Sequence, residues 1–187
     1  MPSQITHLAV AKRYLEKHPQ LVEDRQAFLD GNVLPDLADN KAESHCGVRT
    51  EKKSLVKRNA EKINLAKFIA THNLSDALNQ GLYLHLYVDY YFYNDFLLDY
   101  FKKSTFKQSA IDMYETSRRD DAYLKEKYGV DYEDTTLAKE LQEINNQWDL
   151  EYVEKRQQAG YSFVFPYDFN ALDAFIEKMS DIIISQF

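Results

Sequence analysis

The sequence predicts an all-α protein, and three features carry that prediction. Helix breakers are scarce, with Gly 5 and Pro 4 in 187 residues, so long stretches run uninterrupted. Apolar residues recur at spacings of three and four along most of the chain, the period of an amphipathic helix. Aromatic residues are abundant, Tyr 14 and Phe 11. They crowd the segment GLYLHLYVDYYFYNDF at 81–96, which is apolar nearly all round, as a helix buried inside a bundle must be. The expected architecture is a single compact multi-helix domain over residues 1–187, with about seven helices and one long buried central helix.

Residues 3–17 read as a helix with Ser3 or Thr6 placed to cap it and Ile5, Leu8, Ala9, Tyr14 and Leu15 as its apolar stripe. His18-Pro19 ends it, because proline disfavours the helical conformation of the residue before it. Residues 20–30 read as a short helix. The Gly, Pro, Asp and Asn content of GNVLPDLADNKAESHCG, 31–47, reads as a loop. Residues 48–72 follow as a strongly basic helix with Leu55, Val56, Ile63, Ala66 and Ile69 on its inner face. Ser75 is placed to cap the central helix, which is expected to run to about Lys103 and so to be on the order of 43 Å long. Helices over 105–127 and 134–158 come next, separated by Tyr128-Gly129. YSFVFPYD, 161–168, is extended or irregular, and Asp168 caps a last helix to Phe187.

Composition excludes several function classes. Hydrophobic residues make up 44% of the chain, which argues against disorder. A net charge of -7 and a pI near 5.3 are wrong for a general nucleic-acid binder. One cysteine, Cys46, has no internal partner for a disulfide, which fits a reducing compartment. The N-terminus shows no long apolar core of the signal-peptide kind. No apolar run is long enough to span a bilayer, since Asp89, Asp95 and Asp99 interrupt the best one. A cytoplasmic location is expected.

The residues that carry chemistry are few. His85 and Asp89 lie one turn apart, about 40° around an ideal helix, so both can point at one object. Either they satisfy each other in a core or they hold something. Gly81 sits one turn earlier. It costs roughly 1 kcal/mol relative to alanine inside a helix, so something is expected to approach closely there. The preceding loop adds Asp36 in FLDGNVLPD and His45 in ESHC, and the first helix adds His7 in THLAVAKRYL. Imidazole and carboxylate are the ligand set of zinc and similar divalent ions, and a metal can join groups far apart in sequence. The remaining readings are bland. His18 and His72 are helix ends, favoured there by the helix dipole. Cys46 is a structural thiol or a thiolate ligand. Tyr83, Tyr87, Tyr90, Tyr91 and Tyr93 are core with hydroxyls reaching polar partners. Asp120-Asp121 and DYEDTT, 131–136, are surface groups and helix caps. The basic helix is a solvated face, or a patch that steers a phosphorylated substrate.

The order of these motifs, in MPSQITHLAVAKRYL, FLDGNVLPD, ESHCG and GLYLHLYVDYYF, resembles the zinc-dependent phospholipase C family, whose superfamily includes helical single-strand nucleases. The start MPSQITH is similar to small leaderless bacterial members described only as hydrolases. The resemblance spans residues 1–96; beyond them only helical character is shared. It implies the phospholipase C/nuclease type of helical fold, with Asp36, His45, His85 and Asp89 holding one metal and His7 a second, Asp89 bridging the pair. It implies zinc, with manganese or iron as substitutes. The implied activity is hydrolysis of a phosphodiester or phosphomonoester, in a small lipid- or nucleotide-like substrate, by a metal-activated hydroxide, with Asp36 and Asp89 catalytic.

Two departures narrow this. The family's three-metal site adds a histidine soon after the helix aspartate and a downstream His-x-x-x-Glu, but no histidine follows Asp89 here. Asp95 points away from the His85 stripe on an ideal helix, so two ions are expected rather than three. Secreted members ligate metal through a processed amino terminus, whereas Met1-Pro2 resembles an unprocessed cytoplasmic start. Both differences point away from a secreted lecithin-cleaving enzyme. They also motivate the alternative of a non-catalytic interaction protein that kept the scaffold with a structural metal. An HD-type phosphohydrolase is disfavoured because the chain has no His-Asp dipeptide.

Overall fold

A computed structural model of the chain describes residues 2–47, 63–159 and 163–184. Among these residues the protein is all-α, and the only β pairing is an isolated bridge between Cys46 and Ile63. In chain order the helices are α1 (Gln4–Lys17), α2 (Arg25–Leu37), α3 (Lys41–Ser44), α4 (Leu65–Thr71) and α5 (Ala77–Tyr91). A π-turn (Phe92–Phe96) leads into α6 (Leu98–Lys103) and α7 (Phe106–Tyr128). A 3-10 turn (Tyr132–Asp134), α8 (Ala138–Ala159) and α9 (Phe169–Ser180) complete the fold.

Local chemistry explains most of the boundaries. Ser3 caps α1 by accepting from the Thr6 N–H at 3.1 Å, Asp24 caps α2 through Ala27 and Asp168 caps α9 through Ala171 at 2.9 Å. Each supplies an acceptor to one of the otherwise unpaired N–H groups of the first turn. The expected stripe of α1 is buried in full, and α1 packs against α2, α5, α7 and α9. Gly129 at φ 59 stops α7 in the left-handed conformation glycine tolerates.

The structure corrects several expectations. Residues 31–37 are helix, not loop: Gly31 and Pro35 lie inside α2. Glycine there is a packing requirement rather than a breaker. A Cβ on Gly31 would overlap the Leu78 carbonyl oxygen of α5, and one on Gly81 would overlap the Phe28 carbonyl oxygen of α2. The two helices thus cross backbone to backbone and form the most extensive helix pair among the described residues. Pro35 lies in the last turn of α2 and has no N–H to give the Gly31 carbonyl one turn earlier.

The central helix is not continuous to Lys103. Asp76, not Ser75, caps α5, accepting from Asn79 N at 3.0 Å. After Tyr91 the chain widens into the π-turn, where Leu97 N bonds Phe92 O at 3.0 Å and the Asn94 amide donates to the Tyr90 carbonyl at 2.8 Å. Asp95 faces outward to Lys178 at 2.6 Å. The last helix ends at Ser180. Most of the expected basic helix over 48–72 lies outside the described residues, and its described part is not continuous. Ile63 forms the bridge to Cys46, Asn64 acts as an N-cap by accepting from Lys67 N at 2.9 Å, and α4 starts afresh at Leu65.

Asp120 is not a surface group. It is 1% exposed and held by Arg119 at 2.7 Å and the Tyr167 hydroxyl at 2.6 Å. Its neighbour Asp121 accepts a hydrogen bond from Ser3, the cap of α1. Burial pushes the Asp121 carboxyl up to about 7, against the Ser3 hydrogen bond and with Asp120 adding to the rise. A folded-state value above the unfolded one means that the folded protein holds the extra proton. This contribution to stability is therefore complete below the ordinary carboxyl range and is lost as pH rises through about 7. Urea denaturation at intervals from pH 5 to 8 is expected to show the wild type weakening across that window and Asp121→Asn losing that part of the pH dependence.

Candidate metal centre

Four segments deliver the five side chains, and each is fixed locally. His7 lies one turn into α1, its N–H bonded to the Ser3 carbonyl at 3.1 Å. Asp36 is in the last turn of α2. His45 follows α3 directly and is held by the tight turn at Cys46, whose φ of 53 is rare for a residue with a Cβ. The chain returning at Asn64 donates to the His45 carbonyl at 3.4 Å. His85 and Asp89 lie one turn apart on α5, as the spacing requires. The Gly31–Gly81 crossing brings α2 and α5 close enough for Asn32 to reach both neighbouring backbones. With its amide nitrogen 2.8 Å from the His7 carbonyl, its oxygen accepts from the His85 N–H at 3.3 Å.

All five side chains are buried. His7 and His85 are 0% exposed, Asp36 and Asp89 1% and His45 3%. Donor atoms of His7, His85 and Asp89 lie within 4.8 Å of one another, as do those of Asp36, His45 and His85. The two Asp89 oxygens face different partners. Oδ1 is 3.5 Å from His7 Nε2, while Oδ2 is 3.2 Å from His45 Nε2 and 3.9 Å from His85 Nε2. The His7 and His85 rings stack at 3.9 Å.

The far sides of two imidazoles are committed. His85 Nδ1 donates to the Asn32 carbonyl at 2.8 Å. His45 Nδ1 lies 2.9 Å from Ser44 Oγ, whose own proton goes to the Pro35 carbonyl at 3.1 Å. The hydroxyl therefore accepts from His45, and Nδ1 carries the proton. In both rings the unprotonated Nε2 then faces the cluster. Neither Nε2 has a hydrogen-bond partner among the described residues, nor does either nitrogen of His7 or Asp89 Oδ1.

The protonation state of His85 agrees with this. Burial, reinforced by the neighbouring His7, keeps His85 well below the ordinary histidine range and hence neutral. Burial opposes the charge on Asp89, but the imidazoles of His45 and His7 beside it outweigh that and hold its carboxyl well below the usual range. A neutral histidine and an ionised carboxylate are the ligand forms of these groups. Imidazole lone pairs pointed at a carboxylate repel it unless a cation lies between them, and buried polar atoms left unpaired cost about 1–3 kcal/mol each. The residues present therefore fit a divalent cation.

The structure brings together all five residues singled out in the sequence and leaves the other histidines outside. His18 closes α1 with Nε2 3.2 Å from the Ser180 carbonyl, and His72 closes α4 with its ring stacked on Phe68 at 3.9 Å. Cys46 belongs to neither donor group, and burial raises its thiol above the ordinary range. Two supporting residues escaped sequence reading. Ser44 orients His45, and its only signal was its place immediately before a histidine. Asn32 is 0% exposed between α1 and α5, and its only signal was a polar residue beside Gly31. No family model, curated protein or solved structure matches the chain.

Proposed function

We propose that this protein is a metal-dependent hydrolase of phosphoester bonds that holds a pair of divalent cations, zinc foremost, in the His/Asp cluster. One observation carries the reading: two imidazoles with their Nδ1 protons committed elsewhere turn Nε2 toward an ionised, buried carboxylate. The motif order of the zinc-dependent phospholipase C family supports the same assignment. Asp36, His45, His85 and Asp89 Oδ2 would hold one ion, and His7 with Asp89 Oδ1 the other. Bound there, such a pair would neutralise charge on a phosphoryl group and lower the pKa of a water molecule to near neutrality.

The chain's own residues supply the rest. Asp89 splits its two oxygens between the two halves of the cluster, so it sets the spacing across it. The Asn32 carbonyl and Ser44 fix which nitrogen of His85 and His45 is presented. Asp36 and Asp89 are the groups able to accept a proton from an attacking water. The substrate class is a small phosphorylated molecule, lipid- or nucleotide-like, in the phosphodiester or phosphomonoester series. No stable nucleic-acid binding goes with a net charge of -7. Among the described residues no helix is long and apolar enough to cross a membrane, and a cytoplasmic location belongs to this same proposal.

A second reading is favoured by the burial itself. Exposures of 0–3% at every ligand describe a closed site, which is how structural metals are held. Such a protein would be a non-catalytic interaction module. Metal analysis after reconstitution with zinc, manganese or iron tests the site. The wild type is expected to retain metal and His85→Ala to lose it; a wild type that stays empty under all three would sink both readings. Turnover of bis(p-nitrophenyl) phosphate or p-nitrophenyl phosphate by the loaded wild type, absent in His85→Ala, selects the hydrolase. Metal retention without turnover selects the structural role.

A further inference from the structure

We infer that Ser44 is a positioning residue for the metal centre: it sets the tautomer of His45 and ties it to the turn that carries Asp36. This rests on the metal-site reading above. Ser44 Oγ accepts from His45 Nδ1–H at 2.9 Å and donates to the Pro35 carbonyl at 3.1 Å. Pro35 lies in the last turn of α2, where carbonyls have no helical N–H to pair with. It also immediately precedes Asp36. One hydroxyl therefore links the end of α2 to the turn after α3 and fixes the separation between Asp36 and His45.

The proton count makes the link directional. A serine hydroxyl has one proton and can accept at its lone pairs. With that proton on the Pro35 carbonyl, the imidazole must donate, and its Nε2 lone pair is turned toward Asp89 Oδ2, 3.2 Å away. Removing the hydroxyl frees the ring to protonate at Nε2, and that tautomer hydrogen-bonds the carboxylate and blocks the cation. Outer partners of this kind typically change metal affinity by about 10–100-fold when removed. His85 has a backbone carbonyl in the equivalent place, which substitution cannot delete. His45 is the imidazole whose orientation depends on a side chain.

The test uses the full chain with ¹⁵N-labelled histidine, metal-free and zinc-loaded, assigning His45 by its absence from a His45→Ala spectrum. Long-range ¹H–¹⁵N correlation is expected to show His45 protonated at Nδ1 in the metal-free wild type and in Ser44→Thr. In Ser44→Ala the ring is expected to move to Nε2 protonation. Zinc affinity, measured by chelator competition, should fall about 10–100-fold in Ser44→Ala and stay within a few-fold of wild type in Ser44→Thr. Ser44→Cys keeps the volume with a poor acceptor and is expected to behave like alanine, which covers the case of a poorly folded alanine variant. Wild-type tautomer and zinc affinity in Ser44→Ala or Ser44→Cys would overturn the inference. A wild type that binds no zinc but whose His45 tautomer still follows residue 44 would remove the metal reading and leave the orienting role of Ser44 standing.

Discussion

On the proposed di-metal hydrolase reading, Asp89→Asn is expected to lower hydrolysis steeply and to weaken retention of at least one ion while leaving the helices in place. Asparagine keeps the size and shape of the side chain but offers one neutral oxygen where the carboxylate offers two. Those oxygens face different partners, Oδ1 toward His7 and Oδ2 toward His45 and His85, and His85 is the residue common to both donor groups. Losing several kcal/mol of charge stabilisation from a cation clamp corresponds to a rate lower by about 10³-fold. Metal-to-protein ratio and turnover of the generic phosphoesters, measured on the same preparation, check this. Two retained ions with full turnover in Asp89→Asn would contradict the bridging role. The variant is also informative without metal. Asp89 sits 1% exposed and its charge opposes the lowering of the His85 value, so removing that charge is expected to lower further the pH at which His85 protonates, readable by histidine NMR.

Gly81→Ala is expected to destabilise the fold despite alanine's better helix propensity. The propensity gain is about 1 kcal/mol. Against it, the new methyl would overlap the Phe28 carbonyl oxygen and lie 2.9 Å from Asn32 N. Backbone atoms have no rotamer with which to move aside, so α2 and α5 must separate along their longest contact. Overpacking of this kind costs about 1–3 kcal/mol or more, and a net loss of about 2 kcal/mol is expected by urea denaturation. The damage should reach the site, because Asn32 takes its position from this crossing and its carbonyl holds His85 Nδ1 at 2.8 Å. Metal affinity is therefore expected to fall in Gly81→Ala along with stability. Gly129→Ala supplies the contrast. There the conformation is left-handed but the nearest side-chain atom is an ordinary 3.6 Å away, so the cost is confined to backbone strain of about 1 kcal/mol, with no effect on the metal centre. Equal stability of Gly81→Ala and wild type would refute the account of the crossing.

Much of the centre was legible because histidine and aspartate in apolar surroundings are costly and therefore conspicuous. His85 and Asp89 stood out on a greasy helix at a spacing that places them on one face. Gly81 stood out as a breaker where no break was needed, and the close approach expected there is to α2. Gly31 and Pro35 misled for the complementary reason. In sequence they are loop residues, and only contact with α5 converts glycine from a break into clearance. Asp120 misled similarly: beside Asp121 it reads as surface charge, yet Arg119 and Tyr167, the latter 47 residues away, satisfy it in the interior. The π-turn after Tyr91 leaves no mark in the periodicity, because 81–96 is apolar nearly all round and a one-residue change of register displaces no polar face.

The sequence by itself determined that the chain is helical, where several of its helices begin, that His85 and Asp89 are out of place on an apolar helix, and that His7, Asp36 and His45 are of the same ligand type. These follow from local physics: the period of side chains around a helix, caps that pair unpaired N–H groups, and the cost of burying a charge. Tertiary structure alone decided that α2 runs through its glycine and proline, that Asp89 turns each oxygen to a different histidine, and that Ser44 and Asn32 stand behind the imidazoles. Those facts depend on the angle and distance at which helices meet. That distance is set at the Gly31–Gly81 crossing, by the absence of two methyl groups whose significance no local pattern could show.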